Sequence, residues 1–151
     1  MESKKHSLLV CVNKEHYSSV ALKYACNMAK EHGYSLTVLH VSEPAAYKTL
    51  GAIEEKMLRE SREEAQKLLE GLVDSVCAPR GVMPSLAFRE GFIDEEILAA
   101  MRDDPNICML ILGSPTDGSG SKSKVVPPLV GALGSKTAVP LLIVPGNVET
   151  E

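Results

Sequence analysis

The chain has 151 residues, 44% of them hydrophobic and 24% charged, with a formal net charge of −4, the balance of an ordinary globular domain. It has no Trp, two Phe and four Tyr, and no basic cluster beyond Lys4-Lys5 and the Lys122/Lys124 pair. It therefore lacks both the stacking platforms for single-stranded nucleic acid and the phosphate neutralisers for a duplex. No apolar run approaches the roughly 20 residues of a membrane span, and the start of the chain lacks the long apolar region of a signal peptide. Neither nucleic acid nor membrane is expected as a partner, and the expected location is cytoplasmic.

Leu8 to Val12 is a continuous apolar run, which suits a strand covered on both faces. Ser18 is placed to cap a helix whose apolar residues, Ala21, Leu22, Ala25, Met28 and Ala29, recur at helical spacing and which Gly33 stops. Leu36 to Val41 predicts a second strand, ended by Glu43-Pro44. A long helix is expected from Tyr47 to Val76, with Ile53, Met57, Ala65, Leu68, Leu69, Leu72, Val73 and Val76 on its apolar stripe. Glu55/Arg59 and Glu63/Lys67 form (i, i+4) pairs on its wet side. Pro79-Arg80-Gly81 breaks the chain before a weaker strand at Ser85 to Phe88.

Asp94 is placed to cap a short helix carrying Ile97, Leu98 and Met101, which ends at Asp104-Pro105. Cys108 to Leu112 reads as the fourth strand. A Gly/Ser/Lys-rich stretch, Gly113 to Lys124, follows. Pro127-Pro128 then opens a short helix through Leu133, stopped by Gly134. The last strand is Val139 to Val144, where Pro140 confines it to an edge or marks a strand start. The alternation β-α-β-α-β-α-β-α-β predicts one α/β domain over residues 1–151, with a core at 7–145 and tails at 1–6 and 146–151. Its five parallel strands are flanked by four helices. Ligands of such sheets bind beyond the carboxyl ends of the strands, here Asn13 to Ser18, Val41 to Pro44 and Gly113 to Lys124.

The polar loop after the fourth strand is the phosphate candidate, because its glycines expose N–H groups and Lys122 and Lys124 bring charge. It half-matches a Walker A motif: Gly113 and Gly118 are correctly spaced, but Ser119-Gly120 stands in place of Lys-Ser/Thr. Gly118-x-Gly120 is followed by Ser123 where a dinucleotide fingerprint has its third glycine. A plain solvated loop is the competing reading. Cys11, Cys26, Cys77 and Cys108 form no CxxC pair and read as small buried thiols. The four His residues show no metal-binding spacing. His40 lies near the carboxyl end of its strand, where it packs or faces the cleft, and His16 lies in the first loop. Glu15, Glu43 and Asp117 make no pair suited to acid/base work. Nothing in the residues makes a positive case for an enzyme.

Taken in order, several segments resemble the universal stress protein family over Leu8 to Pro145. These are Leu8 to Ser18 with Ala21-Leu22, Leu36 to Pro44, Arg89-Glu-Gly91, Ile111-Leu-Gly-Ser114 and Val139 to Val144. The resemblance implies a Rossmann-like sheet of the adenine nucleotide alpha hydrolase-like type and a homodimer in which the last strands pair. It also implies an ATP site built from an acidic residue ending the first strand, backbone ending the second, and a Gly-x2-Gly-x9-Gly-[Ser/Thr] loop. Here the acidic position is Asn13, which can still hydrogen-bond an adenine or a ribose. Counted from Gly113, the loop motif meets Thr116 and Val126-Pro127; counted from Gly118, it meets Ser121 and Gly131-Ala132. Proline has no N–H to offer a phosphate.

Two main expectations follow. The first is a homodimeric binding or regulatory module in a stress response, lacking the family's usual ATP mode. The second is a nucleotide binder or slow ATPase, with ATP held by Val12, Asn13, Val41, Gly113, Ser114, Gly118, Gly120 and Lys122. A small-metabolite pocket lined by Leu129 and Leu133 is the third.

Overall fold

Five consecutive buried residues, Ser7–Cys11, form β1. Neighbouring side chains of a strand point to opposite faces, so a strand buried at every position has a core on each side. In the computed structural model, which describes residues 6–43, 52–115, 130–131, 133–134 and 136–148, the other elements are arranged around that strand. Helix α1 spans His16–His32, β2 Ser35–Ser42, α2 Ala52–Leu72, β3 Ser85–Glu90, α3 Ile93–Asp103, β4 Ile107–Ser114 and β5 Leu141–Pro145. All strand pairs are parallel, in the order β3-β2-β1-β4-β5. No helix among the described residues is long and apolar enough to cross a membrane.

Leu8, Val10 and Val12 meet Leu22, Ala25, Cys26 and Ala29 of α1, and Leu69, Val76 and Cys77 from the far end of α2, in one core. Leu9 and Cys11 meet Ile97 of α3, Leu110 and Leu112 of β4, and Leu133 in the other. Each of the fully buried Leu8, Leu9 and Val10 contributes on the order of 1.5–3 kcal/mol by leaving water.

Most helix boundaries follow the sequence, and the departures have local causes. Gly33 ends α1 in the left-handed conformation at φ 71°, as its position predicts. The start differs: α1 begins at His16 behind Glu15, and Ser18 is not its cap. Ser18 is buried, and its hydroxyl is engaged by Asn13. Asp94 likewise does not cap α3; Phe92 precedes the helix, and Asp94, Glu95 and Glu96 occupy its first turn, where they favour the helix dipole.

Helix α2 gives way to a π-helical turn at Val73–Cys77 and a 3₁₀ turn at Ala78–Arg80. The wider turn lets Val76 and Cys77 both face the core. The expected start at Tyr47 lies outside the described residues. Neither Glu55/Arg59 nor Glu63/Lys67 forms an ion pair; α2 reaches instead to β3, through Arg62 and Glu90 at 2.5 Å.

Strand β3 runs two residues further than expected, to Glu90, and β4 extends to Ser114. Strand β5 starts later, at Leu141, so Val139 and Pro140 are not part of it. Val139 is held in a local turn, its N–H donating to Thr137 Oγ1 at 3.2 Å. Pro140 only leads into the ladder, accepting from the Leu110 N–H. Of the fourth helix, Val130–Gly131 and Leu133–Gly134 are helical, and Pro127-Pro128 lie outside the described residues.

Helix α1 crosses the sheet very closely at Gly113 on β4. A Cβ there would lie 2.4 Å from the backbone oxygen of Tyr17. No side-chain rotation relieves a clash with backbone, so Gly113→Ala is expected to destabilise the fold by about 1–3 kcal/mol, read as a lower urea midpoint with an unchanged slope. Gly71, inside α2 with nothing within 4 Å of a built Cβ, provides the opposite sign. Gly71→Ala is expected to stabilise by about 1 kcal/mol in the same experiment.

Candidate functional site

The carboxyl ends of β1, β2 and β4 lie side by side in this strand order. Helix α1 leaves β1 on one face and α3 enters β4 from the other. The chain thus reverses its direction of winding between β1 and β4, which opens a crevice at that end. Val12, Asn13, Val41, Gly113 and Ser114 all fall there. Gly118, Gly120, Lys122 and Leu129 lie outside the described residues.

Asn13 sits in the loop between β1 and α1, and its own neighbours occupy it. Its Oδ1 accepts from the Glu15 N–H at 2.9 Å and from the Ser18 hydroxyl at 2.8 Å. The Glu15 N–H can only donate, which fixes the carboxamide orientation. Nδ2 donates to Tyr17 Oη at 3.1 Å, and the Asn13 N–H donates to Ser18 Oγ at 2.9 Å. Both lone pairs of Oδ1 are therefore used, in an arrangement that sets the chain turning into α1. Tyr17 and Ser18 were not singled out from the sequence as partners of Asn13. The clue was their spacing, since four and five residues after a strand-ending Asn they come round on the first turn of the next helix.

The strands β1 and β2 separate just below this loop. Their register ends at Cys11 with Leu39, and the Val12 N–H still donates to Leu39 O at 2.8 Å. The Val12 carbonyl accepts from His40 Nδ1 at 2.9 Å. A carbonyl cannot donate, so Nδ1 carries a proton in this contact. His40 is half-buried and stacks on Phe88 of β3, with centroids 6.1 Å apart. Of the two readings of His40, the packed strand histidine describes its contacts, at a place that borders the crevice. Backbone edges alternate along a strand. Val41, two residues beyond Leu39, therefore turns its N–H and C=O towards the β1 side, past the point where β1 has left. Ser42 is tied to α2 by a 2.7 Å hydroxyl contact with Ser61.

On the β4 side, Gly113 is buried and pairs with Val144 of β5. Its lack of a side chain serves the approach of α1. Ser114 is half-buried; its carbonyl accepts from the Gly146 N–H at 2.7 Å, and its hydroxyl reaches Pro115 O at 3.4 Å. Cys11, beneath the crevice, is no ready nucleophile, because burial pushes its thiol up to about 12. Leu133 is fully buried in the second core with Leu9 and Ile97, so it fills the core where a metabolite pocket would need a lining. Among the described residues no three His, Cys, Asp or Glu side chains gather as a metal site. What the crevice offers is hydrogen bonding: the Val41 backbone edge, the Nδ1-protonated His40 beside it, and Ser114.

The model of the universal stress protein family matches residues 5–145. Solved structures show the same fold at low identity. The universal stress protein UspA from Lactobacillus plantarum is 20% identical with a TM-score of 0.71, over 95% of this chain and 99% of that one. A universal stress protein family member from Burkholderia pseudomallei is 18% identical with a TM-score of 0.72, over 96% and 99%. The universal stress protein from Archaeoglobus fulgidus in complex with dAMP is 16% identical with a TM-score of 0.67, over 94% and 99%. No curated protein sequence gave a significant match. With a family model spanning nearly its whole length, a parallel sheet in the order 3-2-1-4-5 and a crevice at the β1/β4 junction, this chain belongs to the universal stress protein family.

Proposed function

We propose that the chain is a homodimeric cytoplasmic binding module of the universal stress type, acting in a stress response without the family's usual ATP grip. The observation that carries this reading is the engagement of Asn13. The position where the resemblance calls for a free acid holds an amide whose two acceptor sites are already taken by Glu15 and Ser18. An adenine amino group or a ribose hydroxyl would have to break one of those bonds to be accepted there. Each bond is worth roughly 0.5–1.5 kcal/mol net, and breaking one would also loosen the start of α1. The degenerate glycine pattern after β4 supports the same reading.

The dimer rests on β5, an edge strand. Pro140 O and the Gly146 N–H both bond towards β4, so the even-numbered residues turn their backbone inward and Leu141 and Ile143 turn theirs outward. An edge with outward backbone groups and half-buried apolar side chains is suited to pairing with a second copy.

A second reading is favoured by the Val41 edge. A backbone N–H and C=O pair can recognise an adenine without any help from Asn13, and the A. fulgidus relative is described in complex with dAMP. A nucleoside monophosphate makes a smaller demand on the phosphate loop than ATP does.

Calorimetric titration with ATP is expected to give no saturable heat in the micromolar range. Micromolar binding that Asn13→Ala abolishes would refute the first reading. For the second, dAMP is expected to raise the melting temperature where ATP does not, and an unchanged melting temperature with both excludes it. Ile143→Pro removes an outward N–H and leaves the β4 ladder bonded. It is expected to turn the dimer into a monomer in sedimentation analysis, with the circular dichroism of the fold retained. A monomeric parent protein would remove the dimer from the proposal.

A further inference from the structure

Two thiols lie in contact far from the crevice. Cys26, in the middle of α1, and Cys77, at the end of the π-helical turn, have their sulfurs 3.2 Å apart although 51 positions separate them in sequence. Both residues are fully buried in the core between the sheet and α1. The π-helical turn explains how Cys77 comes to be there. It admits an extra residue to the helix and brings Cys77 inward directly after Val76. Arg80, three residues on, donates from Nη1 to Val76 O at 2.9 Å, which holds a cation beside the pair.

The two thiols are not equivalent. The hydrogen bond from Cys26 holds the Cys77 thiol below its ordinary value against the effect of burial, and the Arg80 charge adds to the lowering. The same hydrogen bond, with burial, pushes Cys26 up. Cys77 is followed directly by exposed Ala78 and Pro79, whereas Cys26 lies mid-helix. An irregular helix end of this kind is where local opening is easiest.

We propose that Cys26 and Cys77 are a redox-modification site, at which hydrogen peroxide converts the thiol pair into an intramolecular disulfide tying α1 to the π-helical end of α2. The Cys77 thiolate attacks one peroxide oxygen; an S–O bond forms, the O–O bond breaks, and the departing hydroxide takes up the thiol proton as water. Cys26 then attacks the sulfenic sulfur of Cys77; the S–S bond forms, the S–O bond breaks, and a second water leaves with the Cys26 proton. The sulfur pair loses two electrons and the peroxide gains two. The sulfurs need to close from 3.2 Å to roughly 2.05 Å, a movement within reach of small side-chain rotations. Cys11 cannot compete, since it faces the opposite core.

The test uses the full chain, treated with a small excess of hydrogen peroxide, then unfolded, alkylated and digested for mass spectrometry. The expected product is a peptide joining Cys26 to Cys77, lighter by the two hydrogens lost and abolished by dithiothreitol. Closing so long a loop is expected to raise the melting temperature on the order of 10 °C, reversibly. Cys26→Ser and Cys77→Ser each remove the linked peptide and the shift, whereas Cys108→Ser keeps both. Should the serine variants fail to fold, the peptide map of the unsubstituted chain decides alone. Complete alkylation of both thiols after peroxide, a bridge to Cys11 or Cys108, or oxidation of Cys77 to sulfinic acid with no bridge overturns the proposal.

Discussion

Burial of β1 on both faces is the constraint on which the rest of the structure depends. Ser7 to Cys11 send alternate side chains to opposite cores, and neither core is complete without them. A strand so placed must have hydrogen-bonded neighbours on both edges and helices on both faces. That requirement puts α1 on one side, α3 on the other, and β2 and β4 alongside. It also decides where a ligand can go. β1 is buried along its length, and the crevice is what is left where the chain turns away after Val12.

The exit is shaped by two substitutes for regular structure. Asn13 stands in for a helix cap by ordering the turn into α1. His40 stands in for a backbone rung by bonding the Val12 carbonyl. Both bring polar side chains to the place where the sheet has run out of partners. The close crossing of α1 over Gly113 belongs to the same junction. A residue that looked like the first glycine of a phosphate loop is held in place by packing.

The sheet was legible in the sequence because its strands are buried on two faces and so read as unbroken apolar runs; Leu8 to Val12 and Cys108 to Leu112 could hardly be anything else. The helix stop at Gly33 was legible for an equally local reason. Ser18 and Asp94 misled because capping residues are interchangeable in sequence, and the Ser18 hydroxyl is taken by a hydrogen bond back to Asn13, five residues earlier. The π-helical turn was invisible, since one extra residue in a helix leaves no mark on an apolar stripe that ends there anyway. Val12, Asn13, Val41, Gly113 and Ser114 were expected at or just beyond strand ends, and the fold has them there. Their occupancy by Tyr17, Ser18 and His40 depends on side-chain directions that spacing only hints at.

The two edges of the sheet are unlike. At its carboxyl end β3 carries Arg89 and Glu90. Arg89 is held by Asp103 at 2.6 Å and Glu96 at 3.5 Å, and Glu90 is held by Arg62. A strand pairing against that stretch would have to displace ion pairs and take charges out of water. The β5 edge, Leu141 to Val144, carries no charge. In the proposed pairing of β5 with a second copy, the two molecules join like to like about a two-fold axis, and a guarded edge lies on each outer side. Under that proposal the ion-paired charges on β3 oppose open-ended stacking of sheets beyond the pair.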